Sequence, residues 1–266
     1  MALHPLTITP VDALDDPRLD DYRAIAATPL RARGDTFAVE SREVVRRLLV
    51  ERRFRLRSVL LTERALETVR DLLDETTTVY LAANDVICAV VGFNFHRGCM
   101  GIAERGVPTG LDGLLATAPG ALVVCECLSN PDNVGGVFRN AMAFGVGGIV
   151  LSPGCADPLS RKTVRTSLGG SLRVPFAEVT EWPGTLARLR TAGFTIVALT
   201  TRDGDDLASF AAPARTALLL GSEGNGLTEG ALALADRRAT IRMVAGVDSL
   251  NVAVACGIAL DRLVGR

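Results

Sequence analysis

The second half of the chain alternates short apolar runs with helical segments, and that alternation removes most fold classes at once. Residues 121–127 form a continuous apolar run bounded by turn signals, as in a parallel strand covered on both faces. Helical spacing follows over 135–144, a strand over 148–151 and a helix over 162–167. Strands are then expected at 174–177, 195–200, 217–220 and 240–241, with helices at 185–192 and 249–263. Parallel strands need long crossovers, and helices supply them. The pattern therefore specifies an α/β fold with an open, mostly parallel sheet, whose ligands bind beyond the strand C-termini.

The first half is a smaller α/β pattern. In residues 40–54, Val44, Val45, Leu48 and Leu49 make one apolar stripe, with Arg42, Arg46 and Arg53 on the other side, which reads as an amphipathic helix. Strands at 58–61, 78–82 and 99–103 alternate with helices at 64–74 and 85–91. Four regions follow: an acidic arm with little core over 1–27, a small α/β domain over 28–106, a Gly- and Pro-containing linker over 107–119, and a second domain over 120–266.

Composition bounds the rest. With 266 residues, 48% apolar and 22% charged, the chain has room for one large or two modest domains. No apolar run approaches the roughly 20 residues that span a bilayer, so no membrane partner is expected. The first ten residues have neither a basic start nor an apolar core, so no secretory leader is expected and the location is read as cytoplasmic. The formal net charge of −1 hides an uneven distribution. Residues 31–64 carry ten arginines against five acids, and local clustering of this kind is what meets a phosphate backbone. The same arginines also suit a solvated helix face with pairs such as Glu43–Arg47. The six cysteines form no CxxC pair, and only His4 and His96 could join them as imidazole ligands, so no metal is expected. Cys125 and Cys127, two apart in a strand, are expected to share a face as buried thiols.

Three stretches carry chemistry. Residues 129–145, SNPDNVGGVFRNAMAFG, follow a strand: Asn133 is a candidate helix cap, and Arg139 lies one to two turns into the helix, facing back toward its start. Residues 217–227, ALLLGSEGNGL, run an apolar strand into three glycines around the carboxylate of Glu223. Glycine there lets main-chain groups touch a ligand directly. The stretch is neither GxGxxG nor a phosphate loop with its lysine, which disfavours nicotinamide and nucleoside-triphosphate chemistry. Residues 241–255, IRMVAGVDSLNVAVA, turn at Gly246 and are expected to start the last helix near Asp248-Ser249, with Ser249-Leu250-Asn251 on its first turn.

In this order and at these separations, the three stretches resemble the SpoU/TrmH branch of the SPOUT RNA methyltransferases. Residues 31–105, with FAVESREVVRRLL and FHRG, are similar to the ribosomal-protein-like RNA-binding domain that many members carry. The resemblance implies a deep trefoil knot in the second domain and S-adenosylmethionine as methyl donor. It places the donor contacts on Gly221, Ile241 and Leu250, with Thr200 and Met243 beside them. It groups Asn133, Arg139, Glu223, Ser249 and Asn251 as the catalytic cluster, with Glu223 fixing either Arg139 or its loop. The implied reaction is methyl transfer to a ribose 2′-OH of RNA. Arg139 is either a base or a group that holds the adjacent phosphate and favours the developing alkoxide; a guanidinium that stays protonated suits the second role. Candidate RNA contacts are Arg42, Arg46, Arg53, Arg97 and Arg165. Ser41 stands where many members have Gly, and Ser222 where many have Ala.

The small residues Ala253, Ala255, Gly257 and Ala259 permit close packing of the last helix, on its own sheet or on a second chain; the resemblance implies a homodimer. Ribosomal RNA is favoured over transfer RNA as substrate. A catalytically idle RNA-binding protein of ribosome assembly, or methylation of a base nitrogen, are the other readings.

Overall fold

The computed structural model describes residues 6–23, 25, 35–93, 95, 98–117 and 120–264. The first elements in chain order are β1 (Ile8–Pro10), α1 (Asp20–Arg23), β2 (Thr36–Glu40), α2 (Arg42–Glu51), β3 (Leu56–Leu61) and α3 (Glu63–Val69). Next come β4 (Thr78–Leu81), α4 (Asn84–Val91), β5 (Cys99–Glu104), α5 (Leu111–Thr117), β6 (Ala121–Cys125), α6 (Pro131–Ala143) and β7 (Gly148–Leu151). They are followed by α7 (Arg161–Thr166), α8 (Gly170–Arg173), β8 (Phe176–Glu178), α9 (Thr185–Thr191), β9 (Thr195–Thr200) and β10 (Asp205–Asp206). The last are β11 (Thr216–Leu220), α10 (Glu229–Ala233), β12 (Arg237–Thr240) and α11 (Val252–Leu263). No helix among the described residues is long and apolar enough to cross a membrane.

The chain divides into two units. The first comprises residues 1–107 and 159–173, the second 108–158 and 174–266. In the first unit the described strands form a mixed sheet in the order β1-β4-β3-β5-β2, with β1, β4 and β3 parallel and β5 antiparallel to its neighbours. The stretch read as an arm with little core contributes to this sheet: β1 pairs with β4, and Val11, Leu19 and Tyr22 are buried. The Tyr22 hydroxyl shares a 2.8 Å hydrogen bond with Ser58 Oγ, which gives a buried polar group its partner. The acids around Tyr22 hid this burial, because a three-residue strand is too short for its alternation to be read.

Ser41 caps α2, its Oγ accepting from Val44 N at 3.4 Å. Its φ of 88° lies where only glycine rests without strain, which is the physical reason glycine suits this position. Two pieces of the first unit come from far along the sequence, α7 and α8. Arg161 at the start of α7 lies 3.6 Å from the buried carboxylate of Glu40, with its guanidinium 4.4 Å from the Phe93 ring centroid. Arg47 donates to the Leu168 carbonyl.

In the second unit the described strands form one parallel sheet, ordered β10-β12-β9-β11-β6-β7-β8. The central strands β6, β7 and β11 are buried along their whole length, as a sheet covered on both faces requires. The stretch read as a linker contains α5, whose Leu111 and Leu114 join this unit's core. Two apolar leucines three apart outweighed the glycine between them. From β6 the chain moves outward to β7 and β8, then returns to β9 and β11 on the other side. The β6–β11 boundary is thus the point where the strand order of this open α/β sheet reverses.

Helices α6 and α11 lie against each other. A Cβ on Gly136 would come within 2.5 Å of Ala253 Cβ, so the absent side chain sets how closely the helices approach. Asn140 Nδ2 donates to the Ala253 carbonyl at 2.6 Å across the same contact.

Candidate active site

Three loops leave the C-terminal ends of β9, β11 and β12 and line one cleft of about 740 Å³. Thr200, Gly221, Ile241, Met243 and Leu250, all named from the sequence, are on its wall, together with Glu223 and Ser249. The size suits a nucleoside-sized ligand, and the lining joins apolar side chains to open main chain, as small-molecule sites do. Gly221 has a steric reason to be glycine. A Cβ there would lie 2.3 Å from Gly226 C and 2.5 Å from Leu227 N, inside the backbone of its own loop. That loop closes on itself through Ser222 N to Gly226 O at 3.1 Å and Gly226 N to Ser222 O at 3.0 Å.

At the cleft's edge one side chain ties three stretches of sequence together. Asn251 Nδ2 donates to Asn133 Oδ1 at 2.8 Å and to Glu223 Oε1 at 3.3 Å. Its Oδ1 accepts from Ala253 N at 2.9 Å and Val254 N at 3.3 Å. Asn251 is therefore the cap of α11 and also the junction of the cluster. This corrects two expectations. The last helix starts at Val252, so Ser249 and Leu250 lie in the loop before it. Asn equals Asp and Ser as a cap, and here its amide also has a carboxylate and a second amide to satisfy. Asn133 is likewise no cap: Asn130 caps α6, accepting from Asp132 N at 2.9 Å, and Pro131 fixes the first turn. Asn133 sits inside that turn, buried, with its oxygen on Asn251.

Arg139 is exposed on α6 and has no hydrogen bond or ion pair among the described residues. It flanks the face formed by Asn133, Gly136 and Asn140, which meets α11. Helical side chains lean toward the helix N-terminus, so its guanidinium is carried back toward the strand tip. Glu223 meets Asn251, not Arg139. Ser249 is exposed on the cleft wall without a hydrogen-bond partner among the described residues.

Glu126 was missed. It is 1% exposed, and its carboxylate accepts from Trp182 Nε1 at 2.6 Å, Thr228 N at 2.9 Å and Thr228 Oγ1 at 2.7 Å. The signal was present: one acid interrupts an otherwise apolar run. Cys127 also departs from expectation. It follows the strand with φ 52° and is exposed, while Cys125 is buried. The strand ends at Cys125, so the two-residue periodicity does not reach Cys127. Burial pushes the Cys125 thiol well above its ordinary range and that of Cys256 up to about 12, so both serve as packing groups rather than nucleophiles.

The arginines named as RNA contacts fall in the first unit. Arg42 and Arg46 are on α2 and Arg165 is exposed on α7, whereas Arg97 lies outside the described residues. Arg46 bonds Asp71 Oδ1 at 2.9 Å and the Thr68 carbonyl. Arg53 stacks 5.0 Å from the Phe54 ring centroid, and burial lowers its guanidinium to about 10, still protonated at neutral pH.

Fold and cleft define an α/β protein with a parallel sheet and a cleft of about 740 Å³ at its strand C-termini, beside a cluster of two asparagines and a glutamate. The model of the SpoU rRNA Methylase family matches residues 120–261. An uncharacterized tRNA/rRNA methyltransferase of Mycobacterium tuberculosis is 35% identical, over 97% of this chain and 93% of its own length. The 23S rRNA (guanosine-2'-O-)-methyltransferase RlmB of Nitrosomonas europaea is 32% identical, over 75% of this chain and 79% of its own. The AdoMet-bound rRNA methyltransferase of Sinorhizobium meliloti superposes with a TM-score of 0.83 at 25% identity, covering 96% of this chain and 97% of that one. The chain belongs to the SpoU family of RNA methyltransferases.

Proposed function

We propose that this enzyme transfers a methyl group from S-adenosylmethionine to a ribose 2′-OH of structured ribosomal RNA. The observation that carries the reading is the Asn251 junction, which brings Asn133 and Glu223 to the rim of the cleft. Both the RlmB relative, by its name, and the order of the three motifs support 2′-oxygen as the acceptor.

The cleft fits the donor. Ile241, Met243 and Leu250 offer an apolar slot for an adenine, and the loop from Gly221 offers main-chain groups at its edge. The bound donor supplies a methyl group on an electrophilic sulfonium. The chain's own residues position the acceptor, and positioning dominates an in-line displacement. Asn251 holds Asn133 and Glu223 in fixed register. The Arg139 guanidinium holds the neighbouring phosphate and favours the negative charge that develops on the ribose oxygen. The hydroxyl proton passes to solvent at the exposed strand tip.

The arginines of the first unit supply the RNA-facing charge. The side chains of Arg42 and Arg165 have no hydrogen bond or ion pair among the described residues, which suits groups kept for phosphates. An RNA substrate supports the reading of a cytoplasmic location. The knot finds support in the sheet order: β12 lies between β9 and β10, and the segment from β9 to β11 passes around it. A Cβ on Gly204 would stand 2.9 Å from the Arg238 carbonyl carbon, so that segment crosses β12 at backbone distance.

Incubation with labelled S-adenosylmethionine and separated ribosomal and transfer RNA tests the reading. Label is expected in ribosomal RNA, within an alkali-resistant dinucleotide, as 2′-O-methylation requires. Label in a base, or none in either RNA, would overturn it, and label in transfer RNA alone would reassign the substrate.

The active form is proposed to be a homodimer. Val254 and Ile258, four apart on α11, are 53% and 39% exposed, and Leu250 beside them is 37% exposed, an apolar stripe of the kind a second copy covers. Light scattering at micromolar concentration is expected to give the mass of two 28.1 kDa chains, and the mass of one would contradict the dimer.

A further inference from the structure

Among the described charged residues of the second unit, Glu126 alone is buried. Glu126 is fully enclosed, and a buried carboxylate survives only where its acceptors are filled. We propose that Glu126 is a positioning residue that fastens both ends of the donor-cleft loop, Gly221–Leu227, and so sets the enzyme's affinity for its methyl donor. The inference rests on the cleft being the donor site.

The geometry is specific. The loop leaves β11 after Leu220, whose carbonyl accepts from the Glu126 main-chain N–H at 2.8 Å. It ends before Thr228, whose main-chain N–H donates to Glu126 Oε2 at 2.9 Å and whose hydroxyl donates to Oε1 at 2.7 Å. One residue therefore holds the entry of the loop by its backbone and the exit by its side chain. Thr228 also caps α10, its Oγ1 accepting from Ala231 N at 3.2 Å, so the exit cannot swing without loosening that helix. Between these two anchors lie Gly221, packed against its own loop's backbone, and Glu223, bonded to Asn251. Glu126 Oε1 also accepts from Trp182 Nε1 at 2.6 Å, a donor that lies outside the loop.

Glutamine at this position keeps the size and loses the symmetry. Oε1 faces the Trp182 and Thr228 hydroxyl donors, and Oε2 faces the Thr228 main-chain donor. Whichever way the amide turns, its NH2 confronts an N–H, and a buried donor is left without an acceptor.

The full-length chain and its E126Q, T228V, T228S and W182F variants are titrated calorimetrically with S-adenosylmethionine. Thermal midpoints and donor-saturated turnover are measured alongside. E126Q and T228V are expected to weaken donor binding about tenfold or more, with a smaller loss of turnover at saturating donor, because Arg139, Asn133 and Asn251 lie outside the loop and only Glu223 moves with it. T228S, which keeps both donors, is expected to restore wild-type affinity. W182F is expected to lower the thermal midpoint while leaving donor affinity near wild type. Trp182 is the chain's single tryptophan, so a shift of its emission in ligand-free E126Q reports the broken contact without any donor present. Wild-type donor affinity in both E126Q and T228V would overturn the assignment, as would W182F weakening the donor as much as E126Q. A wild-type chain that binds no S-adenosylmethionine would instead overturn the donor reading of the cleft, and this inference with it.

Discussion

Replacing Arg139 with alanine is expected to slow methyl transfer by about 100- to 1,000-fold, the cost of removing one group that stabilises a developing oxyanion. Thermal stability and donor affinity should stay close to wild type. Arg139 is exposed, makes no hydrogen bond or ion pair among the described residues and does not line the cleft, so its loss leaves no buried group unsatisfied. Exposed substitutions of this kind shift stability by about 0.5 kcal/mol or less. Lysine is expected to recover little, because a point charge does not reproduce the planar fork that grips a phosphate. Single-turnover methylation with donor bound in advance measures the effect. An alanine variant within threefold of wild type would remove Arg139 from the reaction.

Replacing Gly221 with alanine is expected to have the largest effect on donor binding. The new methyl group would stand 2.3 Å from Gly226 C and 2.6 Å from Gly226 O, and these are backbone atoms that cannot rotate away. The Ser222–Gly226 pair that closes the loop must then open. Overpacking of this kind costs about 1–3 kcal/mol. At the upper end of that range the donor binds roughly 30- to 140-fold more weakly. Calorimetry with S-adenosylmethionine measures it, and unchanged affinity would mean that the loop does not shape the donor site. The Arg139 and Gly221 variants separate the two halves of the reaction: one is expected to lose turnover with the donor held, the other to lose the donor.

The alternation of apolar runs in residues 121–263 was enough for the α/β class and the parallel sheet, because a strand buried on both faces writes an unbroken apolar run. The cleft-lining residues Gly221, Ile241 and Leu250 were named through the family resemblance; Gly221 and Ile241 directly follow β11 and β12, while Leu250 lies in the loop before α11. Short elements were harder. Strand β1 has three residues and β10 two, below the length at which alternation shows a period. Helix α5 was hidden by the glycines around it. The exchange of residues 159–173 into the first unit left no local mark, since a helix carries the same pattern whichever core it joins.

What the sequence determined by itself is the set of groups available: two asparagines, a glutamate, a serine and an arginine, on α6 and on the loops that follow β11 and β12. Their partners were decided only by the tertiary structure. Asn251 caps its own helix and at once bonds Asn133 and Glu223, 118 and 28 positions away. Glu126 fills its acceptors with Thr228 and Trp182, 102 and 56 positions away. A side-chain amide or carboxylate has several equivalent ways to satisfy itself along a chain. Which one it takes depends on what the folded backbone brings within 3 Å, and no local pattern encodes that distance.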